Sequence, residues 1–343
     1  MICKITGKKI KPFMSFGTMP VANGFLYKKN FKKEFFFKME VGFSEEISLF
    51  QLNDHPKPSL MFNKNYPFFT SSSNYMINHF RNYSEWVKKN YFKNSKNVIE
   101  IGSNDGSLLK NFKSYNVNIL GVEPSKNVAS LANKRGVKTI NKFFTYKTAS
   151  SLKKFIKKTD LICAANAICH IPDLKDLIKG IDKLLTKKGF FIFEEPYLGS
   201  MYRKTSYDQI YDEHIFMFSV TSVKKIFSLF NFDLIDVQEQ ITHGGSMRYV
   251  LARKGEYKIK SSVVKKLKFE HQKNIDSLKG CFQFKKNCEK SKSKLNKLIK
   301  SIKKRGKTIA GYAATSKSTT ILNYCGINNK HIDFICDTTK DKI

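Results

Sequence analysis

The stretch Val98-Ile99-Glu100-Ile101-Gly102-Ser103-Asn104-Asp105-Gly106-Ser107 decides the fold, because a short apolar run ends there in a glycine-bearing turn that opens a helix. An apolar run of this length bounded by turn residues reads as a buried parallel strand. Glycine in the turn lets backbone approach a ligand with no Cβ in the way. Working outward, the run recurs at 119–122 (ILGV), 161–165 (LICAA) and 190–193 (FFIF), with helical stretches expected at about 105–113, 125–135 and 173–186. Ser125 caps the second of these and Gly136 stops it, while Pro172-Asp173 opens the third. After Tyr207 a helix near 219–230 and strands near 233–238 and 246–252 give the sheet an antiparallel edge. The pattern is α/β, a doubly wound sheet.

The flanks read differently. Residues 1–75 mix short apolar runs with Phe16-Gly17, Met19-Pro20 and Tyr66-Pro67, a small irregular or β-rich lobe. Met76, Ile77, Phe80, Tyr83, Trp86 and Val87 then share one helical face and lead into a central unit, 76–255. A Lys-rich segment, 256–305, reads as an amphipathic helical connector. A strand–helix–strand at 308–314, 316–324 and 331–337 closes the chain in a unit over 306–343. A lone βαβ leaves a sheet edge uncovered, so the chain is expected to stop short of a complete second nucleotide-binding-like domain.

The formal charge is +34, from 62 Lys and Arg against 28 Asp and Glu. Arginine occurs only at Arg81, Arg135, Arg203, Arg248, Arg253 and Arg305, whereas base readout favours its planar fork. Nucleic acid is therefore not the expected main partner, and some attraction for anionic substrates is. No apolar run is long enough to span a membrane, and the start MICKITGKKIKPF lacks a secretory apolar core, so a cytoplasmic location is expected. Seven scattered cysteines with no C-x2-C pair signal neither a disulfide framework nor a metal site.

The turn Gly102–Gly106 is not the G-x-G-x-x-G of dinucleotide binders. About 20 residues on, Gly121-Val122-Glu123-Pro124 sets a carboxylate at the end of the next strand, where it can accept from two ribose hydroxyls. The pair favours a nucleoside cofactor. The third strand delivers Asn166 and His170 to the same edge, and the fourth runs into Glu194-Glu195-Pro196-Tyr197. The densest polar cluster is Tyr207-Asp208-Gln209-Ile210-Tyr211-Asp212-Glu213-His214, followed by His243-Gly244-Gly245-Ser246-Met247-Arg248. Tyrosine, carboxylate and imidazole within four residues read equally as an acid/base set or as a polar surface turn.

Eight ordered motifs resemble the sugar C-methyltransferases that act on nucleotide-linked deoxysugars: MPVANGFL (19–26), NYPFFTSSS (65–73), IEIGSNDG (99–106), GVEPS (121–125), ANAICHIPD (165–173), YDEH (211–214), HGGSMR (243–248) and GYAATSKSTTILNY (311–324). The resemblance implies a class I methyltransferase domain between an N-terminal lobe and a C-terminal Rossmann-like domain. S-adenosylmethionine would be the cofactor and a nucleotide sugar the partner. It places Glu100, Gly102, Ser103, Asn104, Gly106, Pro124 and Asn166 along the cofactor, Glu123 on its ribose, and Phe143 or Phe144 near the adenine. It makes His214 the general base, surrounded by Tyr211, Glu213, His170 and Tyr66, with Lys317, Asn323, Tyr197, His243 and Arg248 toward the substrate. Methylation next to a 4-keto group is the implied reaction. O- or N-methylation of a sugar or another metabolite stays open, as does a catalytically silent binding homologue. The chain departs from the family in its lobe, where two C-x2-C pairs are replaced by Cys3, Thr6, Ser44 and Ile47, and at Asp212, which stands for a histidine.

Overall fold

A computed structural model describes residues 1–92 and 96–338; residues 339–343 of the expected closing unit lie outside the described residues. The chain opens with β1 (Pro12–Pro20), β2 (Phe36–Ser44) and β3 (Leu49–Leu52), the one-turn helix α1 (Pro58–Met61) and the long α2 (Asn74–Tyr91). Ser73 caps α2 by accepting from the Met76 N–H, and the helix turns Met76, Phe80, Tyr83, Val87 and Tyr91 inward at helical spacing.

The central unit continues with β4 (Asn97–Ile101), β5 (Asn118–Val122), α3 (Lys126–Lys134), β6 (Thr139–Ile140), α4 (Tyr146–Leu152), β7 (Thr159–Ala165), α5 (Leu174–Leu184) and β8 (Leu185–Pro196). It ends with α6 (Leu198–Lys204), β9 (Phe216–Met217), α7 (Val220–Ser228), β10 (Phe232–Gln240) and β11 (Ser246–Arg253). Seven strands form one sheet in the order β10-β11-β8-β7-β4-β5-β6. The β4 to β8 strands are parallel, and β11 runs antiparallel to both β8 and β10. The order reverses at β4, which lies between β5 and β7, and a crevice opens beyond the strand ends at that point.

The expected helix at 105–113 is instead a turn followed by a 3-10 stretch at Leu109–Tyr115. Gly102, Asn104 and Gly106 all take positive φ, and the Ser107 hydroxyl donates to Asp105, so local bonds compete with the helical ladder. The helices expected at 125–135, 173–186 and 219–230 form slightly shorter, as α3, α5 and α7.

The lobe's sheet has the order β1-β2-β3-β9. Its last strand comes from the central unit, with Phe50 opposite Met217, so the chain leaving His214 is sewn directly into the lobe. The Lys-rich connector forms α8 (Ser261–Gln272) and α9 (Leu278–Lys304). In α9, Cys281, Phe284, Cys288 and Ile299 join the core around Phe13 and Phe50. In α8, Glu270 is fully buried and accepts from the Val220 and Thr221 N–H groups, which start α7, and from the Tyr197 hydroxyl. The closing segment pairs β12 (Ala310–Tyr312) with β13 (Phe334–Cys336) in parallel around α10 (Ser316–Cys325), which rests on β1. Among the described residues no helix is long and apolar enough to cross a membrane.

Candidate active site

One cavity of about 740 Å³ opens at the carboxyl ends of β4, β5 and β7. Its two ends are built by different means.

At the first end the chain turns sharply out of β4. Gly102 has φ +69°, and a Cβ there would stand 2.4 Å from the Ala167 Cβ, so only glycine fits. Glu123, at the end of β5 and 5% exposed, holds the turn: its carboxylate accepts from the Asn104 N–H at 3.0 Å and from the Ser125 N–H at 2.8 Å. Burial pushes the Glu123 carboxyl up, and these two donors pull it back. Glu100, Ser103, Asn104, Pro124, Phe143, Phe144 and Asn166 line this end, and the buried Ser103 Oγ and Asn166 Oδ1 have no hydrogen-bond partner among the described residues. Buried polar atoms left open at a cavity wall are what a polar ligand satisfies.

The other end gathers side chains from distant segments. His214 is buried, with Nδ1 2.7 Å from the Gln209 carbonyl and Nε2 2.8 Å from the Tyr211 hydroxyl. A carbonyl only accepts, so Nδ1 carries the proton and Nε2 offers its lone pair. Burial, with His170 next, holds His214 well below the ordinary histidine range and keeps it neutral. The His170 ring stacks between Phe62 and His214 with centroids 5.5 and 5.3 Å away, and burial pushes it down to about 3. Glu213 accepts from the Tyr66 hydroxyl at 3.2 Å and from the Asn23 amide at 2.5 Å. Burial and then the charge of Asp212 push Glu213 up, and burial pushes Asp212 up as well. Burial first, and then Glu213, raise Tyr66 and Tyr211 well above the usual phenol range, so both stay neutral donors. His243 sits at φ +50° and receives the Asn166 amide on Nε2 at 3.1 Å; burial, then Lys317, push it down to about 4. Half-buried Lys317 completes this end.

A glycine turn, a strand-end acid and a cavity at the switch point of a mostly parallel sheet define a class I methyltransferase fold. A methyltransferase domain model matches residues 72–237, a C-methyltransferase C-terminal domain model residues 241–343, and a zinc-binding domain model residues 3–62. C-methyltransferase NovU of Streptomyces niveus is 28% identical over 329 residues, spanning 95% of this chain and 78% of NovU. Among solved structures, the PH0226 protein of Pyrococcus horikoshii OT3 covers 55% of this chain and 95% of its own at 15% identity and a TM-score of 0.44. The plantazolicin methyltransferase BpumL in complex with SAH covers 51% and 82% at 10% identity and a TM-score of 0.40. The chain is an S-adenosylmethionine-dependent C-methyltransferase. The first end of the cavity fits that cofactor, on the glycine-only turn and the two orphaned polar atoms.

Most residues expected from the sequence meet at this cavity, including His214, Tyr211, Glu213, His170, Tyr66, His243 and Lys317. Four do not. Gly106 lies off the wall, its missing Cβ making room for Val137. Tyr197 points away and donates to Glu270. Asn323 is exposed and bonds within α10. Arg248 is buried against Glu194, at 2.8 and 3.1 Å, with its guanidinium over the Tyr83 ring. Though burial opposes it, His79 and Arg248 together hold Glu194 below the usual carboxylate range.

Neighbouring Glu195 faces the other way. Its Oε1 accepts from the N–H groups of Ala167, Ile168 and Cys169, fixing the turn that carries His170, and burial pushes it up to about 7. Asn23, Phe62 and Ser316 also line the cavity and were not singled out from sequence. Asn23 lies within the MPVANGFL motif, but only the folded lobe brings it to Glu213.

The residues at the lobe's zinc positions do not fit zinc. Cys3 packs with Ile5, Ile47 and Leu49 in the apolar core, and one thiol cannot supply a tetrahedral site. The Gln51 side chain, fully buried, links the same elements instead: Oε1 accepts from the Lys4 N–H and Nε2 donates to the Ile2 carbonyl, both at 3.0 Å.

Proposed function

We propose that the enzyme methylates the carbon next to the ketone of a nucleotide-linked 4-keto sugar, with His214 as general base. One observation carries this reading: a neutral imidazole, its Nδ1 proton fixed on the Gln209 carbonyl, accepts on Nε2 from the Tyr211 hydroxyl, and the two side chains together line the cavity that Glu123 closes at the far side. Carbon becomes nucleophilic only when an adjacent carbonyl stabilises the anion left by proton removal. His214 takes up that proton through Tyr211: the Tyr211 hydroxyl passes its own proton to Nε2 as its oxygen receives the one leaving carbon. Glu213 in its protonated form, with the Tyr66 hydroxyl donating to it, donates to the developing enolate oxygen, where a buried donor acts in a poorly screened site. Bound S-adenosylmethionine supplies an electrophilic methyl group on sulfonium. Glu123, Ser103, Asn104 and Asn166 would hold it, and Phe62 and Phe68 help exclude water from the cavity. Lys317 offers a cation at the acceptor end for an anionic nucleotide moiety.

The test is methyl transfer from labelled cofactor to a panel of 4-keto nucleotide sugars, with the product position read by NMR. Carbon methylation that drops by roughly 10²–10⁴ in His214→Ala, at unchanged cofactor affinity, is the expected result. Methylation on oxygen or nitrogen, or full activity in His214→Ala, overturns the reading.

A further inference from the structure

Asn23 sits where three distant stretches of chain meet. It follows β1 in the lobe, its Nδ2 donates to Glu213 Oε1 at 2.5 Å, and its Oδ1 accepts from the Ser316 hydroxyl at 2.9 Å at the start of α10. The preceding residue takes part as well, since the Ala22 N–H donates to Asp212 Oδ1 at 3.2 Å. One turn of the lobe thus grips both adjacent carboxylates of the acceptor end. An amide has one donor end and one acceptor end, and here each is committed to a different part of the molecule.

We propose that Asn23 is a positioning residue for the methyl transfer: it sets the Glu213 carboxyl toward the acceptor end of the cavity and ties that setting to the 315–317 segment through Ser316. The proposal rests on the reading that this end of the cavity performs the chemistry. Ser316 accomplishes its part indirectly. By donating to Oδ1 it fixes which face of the amide points at Glu213, and so keeps the N–H on the carboxylate. Lys317, the next residue, lines the same cavity, so one segment carries both the cation of this end and the hydroxyl that holds Asn23.

The sign of the electrostatic consequence follows from the partners. Glu213 is faced by Asp212 from its own segment, by Asn23 and Tyr66 from the lobe and the loop after it, and by Tyr211 and Cys169 from within the site. Lys317 faces His214 and His243 from the α10 side. Asp212 opposes ionisation of Glu213, while the Asn23 N–H and the Tyr66 O–H favour it. Removing the Asn23 amide therefore raises the pH at which Glu213 loses its proton.

The experiment is a carboxyl-carbon NMR titration of Glu213 in the full chain, for wild type, Asn23→Ala, Ser316→Ala and the double variant, with cofactor affinity by calorimetry as the check on folding. Asn23→Ala is expected to raise the Glu213 midpoint by roughly one pH unit. Ser316→Ala raises it by less, and the double variant matches Asn23→Ala alone, because Ser316 acts only through the amide. An unchanged midpoint in Asn23→Ala overturns the positioning role. Should that variant fail to fold, an unchanged midpoint in Ser316→Ala overturns the tie, and a raised one upholds it. In the methylation assay Asn23→Ala should lower kcat by about tenfold with little change in KM. If wild type methylates no keto sugar, the functional reading fails while the titration still decides the role of Asn23.

Discussion

The two ends of the cavity contrast in how they are made. The cofactor end is framed by 100–124, where a strand, a left-handed turn and the end of the next strand are held by backbone bonds to one carboxylate, Glu123, and is completed by Phe143, Phe144 and Asn166. The acceptor end takes Asn23, Tyr66, His170, Tyr211, Glu213, His214, His243 and Lys317 from segments spread over most of the chain. Local geometry gives the first its shape, whereas the second exists only when the lobe, the central sheet and the closing segment have all docked. Specificity for the acceptor is therefore exposed to changes far from the site, and cofactor binding much less so.

Arg248 separates the two ways of belonging to the site. Read from sequence it faces the substrate; in the fold it is the buried partner of Glu194. Arg248→Ala should cost roughly 3–5 kcal/mol of stability in denaturant unfolding, because it strips most of the compensation from a buried carboxylate. Wild-type stability with a raised substrate KM would return Arg248 to the acceptor end and break the contrast. Glu123→Ala comes next. It should weaken S-adenosylmethionine by about 10- to 100-fold in calorimetry, the effect of losing charged hydrogen bonds, and leave acceptor binding close to wild type. Equal losses for both ligands would show that the two ends are not separately built. The smallest expected effect is that of a chelator: with Cys3 in an apolar core and Gln51 as the cross-link, excess EDTA should change the unfolding free energy by less than about 0.5 kcal/mol. A loss of several kcal/mol would reinstate a metal in the lobe.

Much of this was legible in the chain. Parallel strands buried on both faces announce themselves as apolar runs, so β4, β5, β7 and β8 could be placed within a few residues, and Glu123 followed from its position at a strand end. The short β6 and α4 carry too few residues for a periodic signal and were missed. Glu194 and Glu195 show the limit at the site. As neighbours in one strand they point to opposite faces, and alternation alone does not say which face holds His79 and Arg248 and which holds the turn bearing His170.

The sequence by itself determined the sheet, its switch point and the chemical types available at its edge, since strand burial, turn glycines and strand-end acids act over a few residues. Only the tertiary structure decided that Tyr211, Glu213 and His214 gather at the wall of the cavity rather than in a polar surface turn. It did so by burying them beneath Tyr66 and Asn23 and by running the chain from His214 straight into the lobe's last strand. Burial and long-range hydrogen bonds set the tautomer of an imidazole and the charge of a carboxylate, and both come from residues that sequence spacing leaves unrelated.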